Sequence, residues 1–341
     1  MSATATAIVA MYNQREYAAE AVLGLAGQVR EVIVVDDAST DGTSETLREL
    51  GIPNLVVLTN PSRAGVSISF NRAAAAASSD VLLIQGGDDR SLPGRADRQV
   101  AALEDATVSM VYSLPIVIDS GGQRLPADLA GEFLAGASDP SPLEHLFLRS
   151  NYLCAPSVAV RTADYLRLGG FRAGLDLLQD YDLWLALAAE GDFVRLDPPV
   201  VEYRKHASNL SREYTALDSP KRRRLAAERG EIRNRFLDHA SDAVLDRIAR
   251  ACSLDLERLH GLDRADRLTA LRLSHPDKLV VRRGLDALFA VVADADAPRR
   301  LAAMGLDSTD LARFATIADV DDLADVALAF GAVHVGVTDQ E

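Results

Sequence analysis

Short apolar runs alternate with amphipathic stretches through the first part of the chain. Residues 5–11 (ATAIVAM) read as a strand, and the stretch after them sets Ala18, Val22, Leu25 and Ala26 at helical spacing. Residues 31–36 (EVIVVD) are nearly all apolar, the pattern of a strand covered on both faces. Residues 43–50 predict a short helix, 54–60 (NLVVLTN) a third strand, 67–77 an Ala-rich helix and 80–85 (DVLLIQ) a fourth strand. This repetition predicts an α/β sheet with mainly parallel strands. Residues 91–105 predict a helix, and 107–119 offer strand material broken by Pro115.

Residues 120–142 turn rich in Gly, Pro, Ser and Ala and read as a long loop or lid. Regularity returns with a helix over 142–150, a strand over 157–161 and a helix over 183–190. Beyond Ser219 strand patterns stop. Leu225, Ile232, Phe236, Ala240, Val244, Ile248 and Cys252 recur at helical spacing, and helical patterns continue to Phe330. The expected division is an α/β domain over 1–218 and a helical region over 219–341, with the boundary near 215–220. No repeat is evident.

Composition narrows the class. A chain of 341 residues has room for about two domains, and 48% hydrophobic with 25% charged residues is a globular balance. The formal charge of −14 opposes nucleic-acid phosphates, so a general nucleic-acid binder is disfavoured. Cys154 and Cys252 are too few for a disulfide framework or a Cys-rich zinc module. No apolar run reaches the roughly 20 residues a transmembrane helix needs, and the start lacks a signal-like pattern. The expectation is a cytoplasmic protein.

Gly-x-Gly-x-x-Gly, Walker A, Gly-x-Ser-x-Gly and His-Glu-x-x-His are all missing. What stands out is carboxylates at strand ends, where open α/β sheets bind ligands. Asp36-Asp37 follow the second strand; a carboxylate there could accept from a base or ribose, or merely shape the turn. Gly86-Gly87-Asp88-Asp89 set two acids on a turn after the fourth strand. A hard divalent cation would neutralise both and grip a diphosphate, whereas the bland reading is a solvated turn. Asp180, in QDYDLW, opens an amphipathic helix, whose dipole favours an ionised carboxylate able to accept a proton. His206 lies in YRKHASNLS among other polar candidates, though an isolated His is more often structural. Asn209-Leu-Ser211 formally matches a glycosylation sequon, discounted without a secretory signal.

In this order, VAMYNQREY, VIVVDDASTDGT, AGVSISFNRA, LLIQGGDD, NYLCAPSVAVR, LGGF, QDYDLWLAL and EYRKHASNLSR resemble the GT-A-fold, family 2 inverting glycosyltransferases. The resemblance runs from about Thr6 to Arg212. It implies a Rossmann-like, mainly parallel nucleotide-binding sheet with helices on both faces, plus the helical C-terminal region. The donor part would span about 1–110 and the acceptor part about 111–218. Tyr12, Asn13 and Asp37 are then expected at the base and ribose, Asn71 or Arg72 at the base or diphosphate, and Asp88 at the nucleotide. Asp88 and Asp89 would hold a divalent cation, Mg²⁺ or Mn²⁺, with His206 completing its shell or meeting the diphosphate. Asp180 would be the general base. The sequence departs from the family pattern at Gly86, where an Asp often opens the Asp-x-Asp motif, and at Gln179, where Glu is common.

The implied partners are a nucleotide-sugar donor, with UDP the first expectation, and an acceptor left open among glycans, lipid-linked sugars, peptides and small natural products. Two other classes stay open. A sugar-1-phosphate nucleotidyltransferase shares the layout but usually carries a Gly-rich, Arg/Lys-bearing loop where this chain reads MYNQREY. A catalytically dead nucleotide- or carbohydrate-binding scaffold is the other. In the helical region, Lys221 to Arg224 with Arg229, Arg233 and Arg235 form a basic segment. It could meet an anionic membrane surface or an acidic acceptor, although a solvated helix face is the commoner case. The apolar stripe could pack on the first domain or form a homodimer seam.

Overall fold

The computed structural model describes residues 4–136, 139, 141–207, 209 and 220–315. Most of the expected boundary interval, residues 210–212 of the last motif and the helical pattern beyond residue 315 lie outside the described residues.

Seven strands form the main sheet: β1 (Ala5–Met11), β2 (Glu31–Asp36), β3 (Leu55–Thr59), β4 (Val81–Gly86), β6 (Val108–Ser113), β8 (Ala159–Arg161) and β9 (Asp192–Leu196), in the order β3-β2-β1-β4-β8-β6-β9. A smaller sheet joins β5 (Arg90–Ser91), β10 (Val201–Arg204) and β7 (Ile116–Ile118), in the order β5-β10-β7. In the main sheet β3, β2, β1 and β4 run parallel, while β8 is antiparallel to both β4 and β6. Three helices connect these parallel strands: α1 (Arg15–Ala26), α2 (Thr43–Glu49) and α3 (Val66–Ala76).

Burial explains the continuous apolar strands. Ala7, Val9, Val32 and Val34 pack on Ala18, Ala21, Val22 and Leu25 of α1 and Leu47 of α2. Their alternates Ile8, Ile33 and Val35 are just as buried, so both faces of the sheet are covered. Each Val, Leu or Ile among them contributes about 1.5–3 kcal/mol on leaving water.

Register then lines up the strand ends. Met11 pairs with Asp36, Ala10 with Gly86 and Asp36 with Thr59. The chain leaves β1 toward β2 on one side and returns on the other as β4, so a topological switch point lies between β1 and β4.

The strand material of 107–119 divides at Leu114-Pro115 into β6 and β7, which belong to different sheets. Proline has no N–H to continue a ladder. The helix expected over 91–105 is shorter, α4 (Arg95–Ala102), because residues 90–91 pair with β10. The Gly- and Pro-rich stretch holds a 3₁₀ turn at Ala127–Ala130 and the single-turn α5 (Gly131–Leu134). After it come α6 (Pro142–Leu148), α7 (Thr162–Arg167) and α8 (Gln179–Glu190).

Packing divides the chain into two units, one of residues 1–142 and 151–215, the other of Leu143–Ser150 and 216–341. The described part of the second unit is helical: α9 (Pro220–His239), α10 (Asp242–Ala251), α11 (Leu256–His260), α12 (Arg264–Leu273), α13 (Lys278–Val292), α14 (Ala297–Met304) and α15 (Ser308–Ala315). Ser241, Asp255, Asp263 and Asp277 cap four of these with their side chains. Leu273, Val281, Leu285, Leu288, Leu301 and Phe314 form a core. Phe147 of α6 stacks on Phe236 and His275 within this unit. Among the described residues no helix is long and apolar enough to cross a membrane.

Candidate functional site

Three turns meet beyond the carboxyl ends of β1, β2 and β4, and they carry most of the residues singled out in the sequence. Tyr12 is exposed after β1, and the Arg63 guanidinium lies 4.2 Å from its ring centroid. A cation on an aromatic face at the mouth of a strand-end crevice makes a flat, partly charged platform. Arg63 carried no signal in the sequence beyond being a loop arginine.

Asn13 adopts a left-handed φ of 51° and links two turns: its Oδ1 accepts from Thr40 N at 2.8 Å, and its own N–H donates to Ser39 Oγ at 2.8 Å. Asp37 is buried. Its carboxylate accepts from the backbone N–H groups of Ala64 and Gly65, both at 2.8 Å, and from Asn60 Nδ2 at 2.7 Å. Burial pushes this carboxyl up, but these donors outweigh it and hold it below the usual range. Asp37 thus fixes the 64–65 turn that bears on Arg63. Arg72 is exposed and donates to Thr59 O and Asn60 Oδ1. Asn71 points elsewhere: Nδ2 donates to Phe171 O at 2.7 Å, and Oδ1 accepts from Phe171 N and Tyr165 Oη. The structure uses Asn71 to brace the 170–171 turn, apart from the strand-end group.

The turn after β4 separates its two acids. Asp88 Oδ2 lies 2.8 Å from His206 Nε2, and Asn209 Nδ2 is 3.4 Å from the same oxygen. Asp89 is 1% exposed and accepts from Arg204 N at 2.8 Å. Burial, reinforced by Asp88, raises its carboxyl well above the ordinary range. Asp88 and His206 therefore come together as a pair, both largely covered, and Asp89 anchors the turn from within.

Arg204, at the end of β10, holds this arrangement. Its buried guanidinium donates to Asp88 O, Ser120 O and Glu20 Oε2, and it stacks 4.6 Å from the Tyr17 centroid. Tyr17 in turn packs on His206, with ring centroids 5.1 Å apart. A lone arginine in VEYRKH reads as solvent-facing, so its role was not legible.

Asp180 lies in the first turn of α8, half-buried. Oδ1 accepts from Tyr181 N at 2.7 Å and Oδ2 from Asn151 Nδ2 at 3.1 Å. Burial lifts its carboxyl to about 6, against the donors of Tyr181 and Asn151. A carboxyl so placed changes charge near neutrality, as a proton acceptor should.

Among the described residues, no group of three or more His, Cys, Asp or Glu side chains is arranged to hold a metal ion alone. The Asp88–His206 pair still fits a hard cation that takes part of its shell from phosphate oxygens. Small divalent ions commonly use one or two carboxylates with substrate phosphates. The two groups are hydrogen-bonded to each other at 2.8 Å, so a cation held by both would take the place of that bond.

Comparison with known proteins bears on the family and the fold. Residues 6–150 match the family described as Glycosyl transferase family 2. EpsE of Bacillus subtilis, a glycosyltransferase by name, is 28% identical over 193 residues, covering 54% of this chain and 66% of EpsE. An uncharacterized glycosyltransferase of Methanocaldococcus jannaschii is 23% identical over 206 residues, 58% of this chain and 69% of its own. The chain thus spans about two thirds of these relatives. Among solved structures, S. aureus TarS 1-349 in complex with UDP aligns with 96% of this chain and 91% of its own, at a TM-score of 0.56 and 17% identity. A mannosyltransferase from Pyrobaculum calidifontis, in complex with GDP-Man and Mn2+, aligns with 96% of this chain and 88% of its own, at a TM-score of 0.53 and 20% identity.

Proposed function

We propose that this chain, whose residues 6–150 match the family 2 glycosyltransferases and whose fold is GT-A, transfers a sugar from a nucleotide-diphosphate sugar to an acceptor nucleophile with inversion. The observation that carries this reading is the Asp88–His206 pair at the switch point of the sheet, beside the Tyr12–Arg63 platform. The donor part is assigned to residues 1–110, the acceptor part to 111–218 and a helical region to 219–341.

In this reading the base and ribose lie at Tyr12 and Asn13, near the 64–65 turn that Asp37 fixes, with Arg63 and Arg72 supplying positive charge. Asp88 and His206 would hold a divalent cation, Mg²⁺ or Mn²⁺, which neutralises charge on the departing diphosphate. Arg204 and Asp89 keep those two side chains in place. Asp180 takes the proton of the acceptor group as that group bonds to the anomeric carbon. The bond from that carbon to the diphosphate breaks on the opposite face, and the nucleoside diphosphate leaves with the electron pair. A single displacement needs no enzyme nucleophile. A UDP-sugar remains the first donor to test; UDP in one aligned structure and GDP-Man in another support the donor class.

The test is thermal shift with UDP and GDP, each with and without Mg²⁺ or Mn²⁺. Binding at about 100 times Kd adds about 2.7 kcal/mol to stability. The reading expects a clear rise for at least one nucleotide with the cation, removed by EDTA and by Asp88→Ala. No rise with either nucleotide contradicts the donor assignment, and a rise indifferent to chelation contradicts the cation.

A further inference from the structure

Asn151 has no place in the donor site, yet its side chain is committed at both ends. Its Oδ1 accepts from Leu153 N at 3.0 Å. A backbone N–H can only donate, so this bond fixes which end of the amide is oxygen and turns Nδ2 toward Asp180. Nδ2 then donates to Asp180 Oδ2 at 3.1 Å, while the helix-start amide of Tyr181 takes Oδ1. The Asp180 backbone N–H and the Trp184 side chain favour the anion too, each less than Asn151.

We propose that Asn151 is a positioning residue for the reaction, holding Asp180 in its proton-accepting, anionic form and in one orientation. This rests on the reading of Asp180 as base. The physical need is plain: burial alone drives a carboxyl toward its neutral form, and a neutral acid cannot accept a proton. An amide N–H favours the anion. The charged groups nearby do little of this work. Asp182, on the same helix, is paired with Arg172 at 3.2 Å, and the titratable group on the adjacent strand β6, Tyr112, stacks on Tyr152.

The test follows the Asp180 carboxyl by ¹³C NMR of Asp-labelled protein across pH, its signal identified by its loss in Asp180→Asn. Turnover of the probe UDP-GlcNAc with Mg²⁺ is recorded alongside. Asn151→Asp preserves shape and the Leu153 bond but removes the donor; Asn151→Leu removes the amide without adding charge. In the wild type the proposal expects a midpoint pushed up to about 6. The proposal expects it to rise by about one unit in Asn151→Leu and further in Asn151→Asp, with the acidic limb of turnover following. An unmoved midpoint in the variants overturns it. So does a loss of turnover equal at every pH, the mark of a merely structural contact. A shifted midpoint with undiminished turnover in Asp180→Asn sinks the base reading instead, a separate result.

Discussion

Gly86 stands where the family resemblance leads one to expect an acid, and its neighbours give the physical reason. A Cβ built there would fall 2.2 Å from Asp89 Oδ2 and 3.1 Å from Asp88 Oδ1. The inward turn of Asp89 fills the space a side chain would need, so the two features belong together. Gly86→Ala should destabilise the protein by about 1–3 kcal/mol, the cost of forcing atoms into a packed site. Thermal melts with and without UDP check it: wild-type stability in Gly86→Ala would mean the turn relaxes freely. At this scale the sequence was partly legible. Asp88 and Asp180 could be singled out as candidates, because each is a titratable group at the end of a readable element, and His206 because it lies among other polar candidates. Arg63, Arg204 and Asn151 were not, because an arginine or asparagine declares its partner only once distant segments meet. Asn71 looked like a ligand and proves to be a brace for residues 170–171.

Elements were legible where one physical signal dominated. Strands β1, β2 and β4 are buried on both faces and read as unbroken apolar runs. Strands β9 and β10 escaped, since DFVRL and VEYR mix charges into short partly buried segments whose pairing depends on distant partners. The helical unit shows the same contrast. Its helices follow from periodicity, but the contact that secures α6 within it does not. His275, fully buried, lies between Phe147 O, 2.9 Å from Nε2, and Asp277 N, which donates to Nδ1 at 2.8 Å. Burial, with Arg233 nearby, pushes this imidazole well below its ordinary value, so the folded protein keeps it neutral. The unfolded chain binds a proton below about 6.5, so there the unfolded state holds more protons. Stability from this site is therefore complete above that value and is lost as pH falls. Amide exchange in α12 and α13 at pH 7 and pH 5 should show a loss of about 2 kcal/mol at the lower pH. His275→Gln should flatten that slope; an unchanged slope would assign the acid sensitivity to other groups.

For the molecule as a whole, a charge of −14 opposes an anionic donor, so attraction has to be local. Arg63 and Arg72 lie at the strand ends where the diphosphate and base are assigned, and His206 faces Asp88. Overall acidity thus excluded partners without naming one, and it was the ordered motifs that carried the fold class. Those motifs also carry the central claim, inverting transfer with Asp180 as base. The most direct measurement is ¹H NMR of the anomeric proton as the protein turns over UDP-GlcNAc or GDP-mannose with Mg²⁺, water serving as acceptor. The account predicts nucleoside diphosphate as one product and, first to appear, the sugar anomer opposite to that of the donor. Asp180→Asn should slow this by about 10²–10⁴-fold while still binding the donor. Appearance of the donor's own anomer first, release of a sugar phosphate with nucleoside monophosphate, or full turnover in Asp180→Asn would contradict it.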